Sequence, residues 1–316
     1  MNFKTSAIAL AVAGTIAAPV AVQAGADELY ASARVGTWYV KENDQDQLDV
    51  RSFSSRFGAK GETDLGNGLT GFGRYEWDVD FNNDIGEDDI SVRHRYVGLK
   101  GDFGNVLLGQ TYHTFYNFAV GPVDNPWWHS GYTMVNYRGR TDSAVTYSGG
   151  SGNFNFGATV YMTPDAEEED IDAQEVGASM AIGDMTLGVA YQGSNDADQG
   201  SYGSDDPIFG AALSGIGIGD TTLNLAAQMQ EDDVGFVADW GISNFYVHVE
   251  YLMVDKDSGS SVSGDDEDKY TATLGYTQSL GRKTTMYYEI AITDNDTGDD
   301  DDDRTAAMAV LKYDII

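Results

Sequence analysis

The chain of 316 residues contains no cysteine and only five prolines. Without thiols it can form neither disulfides nor thiolate metal sites, so a large core or a closed sheet must hold it together. Scarce proline leaves long stretches in which nearly every N–H can join a hydrogen-bonded ladder. No stretch reaches eighteen consecutive apolar residues, which excludes a membrane-spanning helix. Cations are few as well: 18 Lys and Arg stand against 51 Asp and Glu, a formal charge of −33 at pH 7. So acidic a balance argues against a nucleic-acid partner, because a phosphate backbone needs a basic face. The histidines, His94, His113, His129 and His248, lack metal-ligand spacing, and neither a P-loop nor a nucleophile elbow is present. No catalytic residues, no metal and no cofactor are expected; the protein should not be an enzyme.

The N-terminus has a purpose of its own. Lys4 supplies a positive start, Ala7 to Ala18 an apolar stretch, and Val22-Gln23-Ala24 a small-residue cleavage site. Residues 1–24 therefore form a secretory signal peptide, leaving 25–316 as the mature exported chain. That chain alternates with period two. Phe245, Val247, Val249, Tyr251 and Met253 line one face of their segment, opposite Tyr246, His248, Glu250 and Leu252. In the same way Met286, Tyr288, Ile290 and Ile292 oppose Tyr287, Glu289 and Ala291.

The connections fall into two kinds. Short Gly/Asn/Asp turns occur at 66–67, 102–105, 149–152, 183–184, 217–220, 241–244 and 281–282, which is seven. Between them lie eight longer or more acidic segments, at 43–49, 82–89, 111–134, 163–173, 194–206, 230–233, 255–268 and 294–304. Seven and eight connections strictly interleaved demand sixteen strands, with both chain ends on the short-turn rim. An even, antiparallel set with short turns at one rim and long loops at the other is what a transmembrane β-barrel requires, since backbone facing lipid has no water to bond. At sixteen strands the lumen is too wide for side chains to fill, leaving a water channel. A secreted sandwich, or a calcium-binding or adhesive β-protein, is the alternative; the Gly-Gly-x-Gly-x-Asp repeat of calcium solenoids is absent.

Charge is sorted along the chain. Eleven Lys and Arg lie between Arg34 and Arg140, and none occurs from Thr141 to Asp255. The acids gather in polar runs such as Glu167 to Asp170 and Asp299 to Asp303, which fit solvated loop tips that repel one another. They can also share divalent cations with other anions, or reflect a saline habitat. Strand parity then sorts the cations. With Phe53, Phe57 and Ala59 on the lipid side, Arg56 points inward. With Tyr96 outward, Arg93 and Arg95 point inward; with Val145 and Tyr147 outward, so do Arg138, Arg140 and Asp142. Arg34 and Arg74 follow the same rule, whereas Arg51 and Lys100 take the outward parity of rim positions. An arginine on the lipid face at mid-depth costs ~2–4 kcal/mol, which makes parity a physical constraint.

Ser55 to Trp77 (SRFGAKGETDLGNGLTGFGRYEW), Arg93 to Asn105 (RHRYVGLKGDFGN), Leu108-Gly-Gln110 and Arg138 to Tyr147 (RGRTDSAVTY) stand in this order along the chain. Together they resemble the Gram-negative general diffusion porins of the enterobacterial type. The resemblance implies a homotrimer of sixteen-stranded barrels in the outer membrane, among outer-membrane lipids and lipopolysaccharide. It also implies an infolded third loop whose acids face a ladder of wall arginines, and passive transport of ions and small hydrophilic solutes. Arg56, Arg93 and Arg140 match the wall arginines of that family. The loop, at 111–134, lacks the family's Pro-Glu-Phe-Gly-Gly core and has Gly121-Pro-Val-Asp-Asn-Pro-Trp-Trp-His-Ser-Gly131 instead. Asp124 is its only carboxylate and so the expected acid of the constriction. Trp127 and Trp128 are expected to pack the loop against the wall. Tyr313 fits the family's C-terminal pattern if Ile315 takes the usual aromatic place. A substrate-selective porin is the alternative within this class, but the inward Trp38 and Tyr246 are too few to argue an aromatic track.

Overall fold

The computed structural model describes residues 27–42, 45–80, 90–130, 137–162, 171–194, 207–254, 268–294 and 303–316. The segment 1–24, expected to be a signal peptide, and most of the acidic runs lie outside the described residues. Seventeen strand segments make one antiparallel sheet. In chain order they begin with β1 (Asp27–Glu42), β2 (Gln45–Ser52), β3 (Ser55–Gly66), β4 (Leu69–Val79), β5 (Ile90–Gly101) and β6 (Gly104–Gln110). The middle comprises β7 (Ala144–Ser151), β8 (Phe154–Tyr161), β9 (Ala173–Ile182), β10 (Met185–Ser194) and β11 (Ile208–Ile218). Completing the set are β12 (Thr221–Gln230), β13 (Asp233–Ile242), β14 (Phe245–Met253), β15 (Lys269–Gly281), β16 (Thr284–Asp294) and β17 (Arg304–Asp314).

Closure comes from β1. One edge pairs with β17, from Ser32 opposite Asp314 to Lys41 opposite Thr305. Its other edge pairs with β2 above and β3 below. The segments β2 and β3 are therefore two halves of one stave, and the barrel has sixteen. Every edge is paired, which satisfies the backbone inside a bilayer.

Seven tight turns, after β3, β5, β7, β9, β11, β13 and β15, mark one rim. The other eight connections share the opposite rim, though two are shorter than expected. Residues 45–49 belong to β2, and the connection near 230–233 shrinks to Glu231 and Asp232 between β12 and β13.

Burial is inverted relative to a water-soluble protein. On β14, Phe245, Val247, Val249, Tyr251 and Met253 are exposed, while His248, Glu250 and Leu252 are buried. On β16, Ile290 and Ile292 are exposed whereas Glu289 and Ala291 are buried. Such a pattern is stable only if hydrocarbon is the outer solvent. Aromatic rings collect near the short-turn rim on this outer face, where Phe245 packs on Tyr276, Tyr276 on Tyr288, and Phe154 on Phe156. Such rings suit the level of lipid headgroups. Leu311, Tyr313 and Ile315 continue the outward row to the C-terminus.

Two backbone irregularities reverse strand parity. Between β2 and β3 the chain kinks at Ser54, a non-glycine residue with φ of 60°. Phe53 is thereby turned inward and fully buried against Trp38, not lipid-facing as alternation from Phe57 predicts. Arg51, on the inward side of this break, lies over the Trp38 ring at 5.0 Å. The second irregularity is a bulge in β5: Glu76 faces His94 but Trp77 faces Val92, so Arg93 is the extra residue. Beyond it the even-numbered residues point inward. Lys100 thus reaches the lumen and pairs with Glu62 at 2.5 Å, while Tyr96 joins Phe72 inside. Arg95 takes the opposite face, beside Tyr75 and two residues from Val97, both exposed.

The outer band yields a direct test. Val249→Arg, on the lipid face of β14, should lower unfolding free energy by ~2–4 kcal/mol in lipid-based urea titrations. Stability equal to that of the native chain would contradict this assignment of faces.

Candidate pore constriction

The wall cations come from consecutive staves. Arg34 (β1), Arg56 (β3), Arg74 (β4) and Arg93 (β5) all point inward. Ser54, at the kink, links them: its Oγ accepts from Arg56 Nε at 3.1 Å and Arg93 Nη1 at 3.3 Å, and donates to Asp78 Oδ2 at 2.7 Å. Glu76 is buried and takes Arg74 Nη2 at 2.5 Å, Arg93 Nε at 3.2 Å and the Tyr30 hydroxyl at 2.9 Å. Arg140 joins the group from the loop, with its guanidinium 5.0 Å from the centre of the Tyr112 ring. Five arginines thus share two carboxylates, Glu76 and Asp78. The local sign is positive in a strongly acidic protein.

Arg138, Arg140 and Asp142 do not occupy a strand. β7 begins only at Ala144, and the segment before it turns through Gly139 at φ 40° and Ser143 at φ 55°. Arg138 is buried away from the cluster; its N–H donates to Gln192 Oε1 at 2.9 Å and Nη2 to Ser194 Oγ at 3.1 Å. Asp142 pairs with Arg95. Since Arg95 stands on the outer face, that pair corrects the expectation that both residues line the lumen. The cause is the bulge at Arg93, which alternation does not reveal.

The chain leaves β6 at Gln110 and reaches β7 only at Ala144, so the third connection is longer than 111–134; residues 131–136 lie outside the described residues. Its described part crosses the barrel interior. Three carboxylates on distant staves hold it there. Glu175 on β9 accepts the Phe115 N–H at 2.8 Å and the Tyr161 hydroxyl at 2.7 Å. Asp239 on β13 accepts the Asn125 side-chain amide. Glu289 on β16 accepts the backbone N–H groups of Trp127, Trp128 and His129, the last at 2.9 Å. It also bonds His129 Nδ1 at 2.8 Å and the Tyr246 hydroxyl. Successive N–H groups converging on one carboxylate form an anion nest.

Packing completes the clasp. Phe115, Ala119, Val120 and Val123 bury themselves against Ile208, Ala212 and Leu252. At the far end Trp127 stacks on Tyr287 at 4.4 Å, Trp128 meets Phe53 edge-on at 5.0 Å, and His129 stacks on Trp38 at 5.1 Å. Both tryptophans therefore secure the loop to the wall. Gly157, Gly177 and Gly188, on β8, β9 and β10, leave the wall bare where Phe118 lies; a Cβ on Gly188 would meet the Phe118 carbonyl oxygen at 2.2 Å.

Asp124 sits on the loop, held by the Tyr116 hydroxyl at 2.8 Å and the Ser130 hydroxyl at 2.9 Å. Burial, with Asp124 alongside, pushes the Tyr116 hydroxyl up, so it remains a donor. Tyr116 stacks on Tyr112 at 3.7 Å, and Tyr112 carries Arg140. The acid and the arginine are thus joined through two tyrosine rings. Alternation placed Glu289 inward but gave no sign that it meets residues 160 positions away.

These features define a class: a transmembrane barrel narrowed by its own third connection. The model of the family described as Gram-negative porin matches residues 5–298, and the chain belongs to that family. It is 30% identical to outer membrane protein F of Serratia marcescens over 186 residues, 52% of this chain and 48% of that protein. Outer membrane protein S2 of Salmonella typhi is 27% identical over 253 residues, 78% of this chain and 58% of the relative. The chain spans about half the length of the curated relatives it matches. Its fold superposes on Salmonella typhi OmpF, solved in complex with daunomycin, with a TM-score of 0.70 at 17% identity, covering 92% of this chain and 98% of that one. An anion-selective porin from Comamonas acidovorans gives 0.67 at 17% identity, covering 92% and 100%. Its relatives place the protein in the outer membrane.

Because the loop lies flush on glycine, Gly188→Val should lift it. Single-channel records should then show added flicker and a conductance different from the native value. A quiet native trace would mean the loop does not rest there.

Proposed function

We propose that the protein is a general diffusion porin, a passive water-filled channel for ions and small hydrophilic solutes. The observation that carries this reading is the loop held across the lumen opposite an excess of arginines. Water crosses a sixteen-stranded barrel freely unless something narrows it. Here the narrowing stands beside Arg56, Arg93 and Arg140, with Asp124 on the loop and Arg34 and Arg74 close by. Excess positive charge on the low-dielectric wall of a water-filled passage favours small anions and orients dipolar solutes. Acidic residues farther from this passage act at longer range and are screened by salt, so local arginines dominate at physiological ionic strength.

The reading includes a homotrimer embedded in outer-membrane lipid and lipopolysaccharide. Arg95 and Asp142 support it, because charged groups near the middle of an outer wall are costly in hydrocarbon. A second copy covering the outer faces of β3 to β5 would remove that cost. Planar bilayers under a salt gradient test pore, assembly and sign together. Conductance should appear in steps of three, and replacing Arg56, Arg93 and Arg140 with Gln should move the reversal potential toward cations. Single isolated steps would remove the trimer, and an unmoved potential would clear these arginines of any part in selectivity.

A further inference from the structure

Below the loop, toward the short-turn rim, lies a second recess. It has a volume of about 400 Å³ and is bounded by β3 to β8, with the first limb of the third connection as its roof. Small-molecule sites start at ~300 Å³, so this recess is large enough to receive a solute. Its floor stands apart from the arginine cluster: Lys100 lies seven residues beyond Arg93 along β5, roughly 23 Å at ~3.3 Å per residue, whereas Tyr112, beneath Arg140, marks its upper boundary with that cluster.

The lining has a distinct chemistry. Its two charges, Lys100 and Glu62, are paired at 2.5 Å and cancel. The remaining polar groups are neutral: Asn105 donates to Ser148 Oγ at 3.3 Å, and Asn117 to the Tyr112 carbonyl at 3.3 Å. Each asparagine retains a side-chain oxygen that accepts nothing from the described residues, and Ser148 retains its hydroxyl proton. Phe72 and Tyr112 add aromatic rings to the same recess. A charged solute finds no uncompensated partner here; the arginine wall above would hold it instead. A neutral polyhydroxylated solute matches every feature, since its hydroxyls both donate and accept and its C–H faces pack on rings.

We propose that this recess is a weak binding subsite for neutral carbohydrates, occupied as they leave the constriction on the short-turn side. The proposal deepens the diffusion-porin reading and rests on it. None of the constriction arginines lines it, and Glu175, Asp239 and Glu289, which hold the loop, lie elsewhere.

The test uses the intact protein in planar bilayers, with maltotriose as the probe added on the short-turn side. Conductance in salt alone is recorded first, so failure of the pore reading shows itself as no channel at all. With a channel present, maltotriose should reduce the current saturably. Asn105→Leu and Asn117→Leu should each leave the salt conductance native yet raise the half-saturating concentration about tenfold, the effect expected of one lost hydrogen-bond partner. Phe72→Leu, which keeps bulk but removes the ring, gives an independent arm with the same expected direction. A current that merely tracks solution viscosity would overturn the proposal. So would half-saturation unchanged in all three variants, or saturable block by glycine, a zwitterion, in place of the sugar.

Discussion

A buried carboxylate needs donors, and an extended loop inside a barrel needs acceptors for N–H groups that no strand can serve. In this protein each requirement meets the other. Glu175, Asp239 and Glu289 stand on three separate staves and receive Phe115, Asn125 and the run Trp127 to His129. Losing Glu289 would orphan several buried N–H groups at ~1–3 kcal/mol each, so the clasp is strongly specified. The remaining features of the lumen follow from where it holds the loop. Asp124 is presented by Tyr116 and Ser130, Arg140 lies over Tyr112, and the recess beneath gains its roof.

The acidity of the chain therefore has two components. Acidic runs such as Glu167 to Asp170 belong to polar segments of the sequence, whereas single acids at inward strand positions, Glu175, Asp239 and Glu289, organise the interior. The scarce cations are concentrated where their sign matters. Because Arg34, Arg56, Arg74, Arg93 and Arg140 outnumber Glu76 and Asp78, this part of the wall opposes the sign of the whole molecule.

Much of the architecture was legible in the residues. Period-two alternation and Gly/Asn/Asp turns are local signals, and they yielded sixteen staves, both rims and the third connection. What escaped notice was non-local or hinged on one residue. A single kink at Ser54 and a single bulge at Arg93 each invert the parity between the residues before and after it on their stave. For that reason Phe53, Arg51 and Lys100 point inward while Arg95 points outward, against strict alternation. Arg140 reached the wall cluster from a loop and not from the strand that parity assigned to it. The anchoring acids looked like any inward Glu or Asp, because their partners are 60 to 162 residues away in the chain. Likewise Gly157, Gly177 and Gly188 looked like ordinary strand glycines until Phe118 was found against them.

The account is tested most directly by the size of neutral polymer that the channel admits. Native protein should be compared with a chain in which Glu175, Asp239 and Glu289 are all replaced by Leu, once trimer formation and β-content are confirmed for both. Release of the loop should raise the exclusion limit together with the conductance. An exclusion limit identical to the native one would show that something other than this carboxylate clasp narrows the barrel.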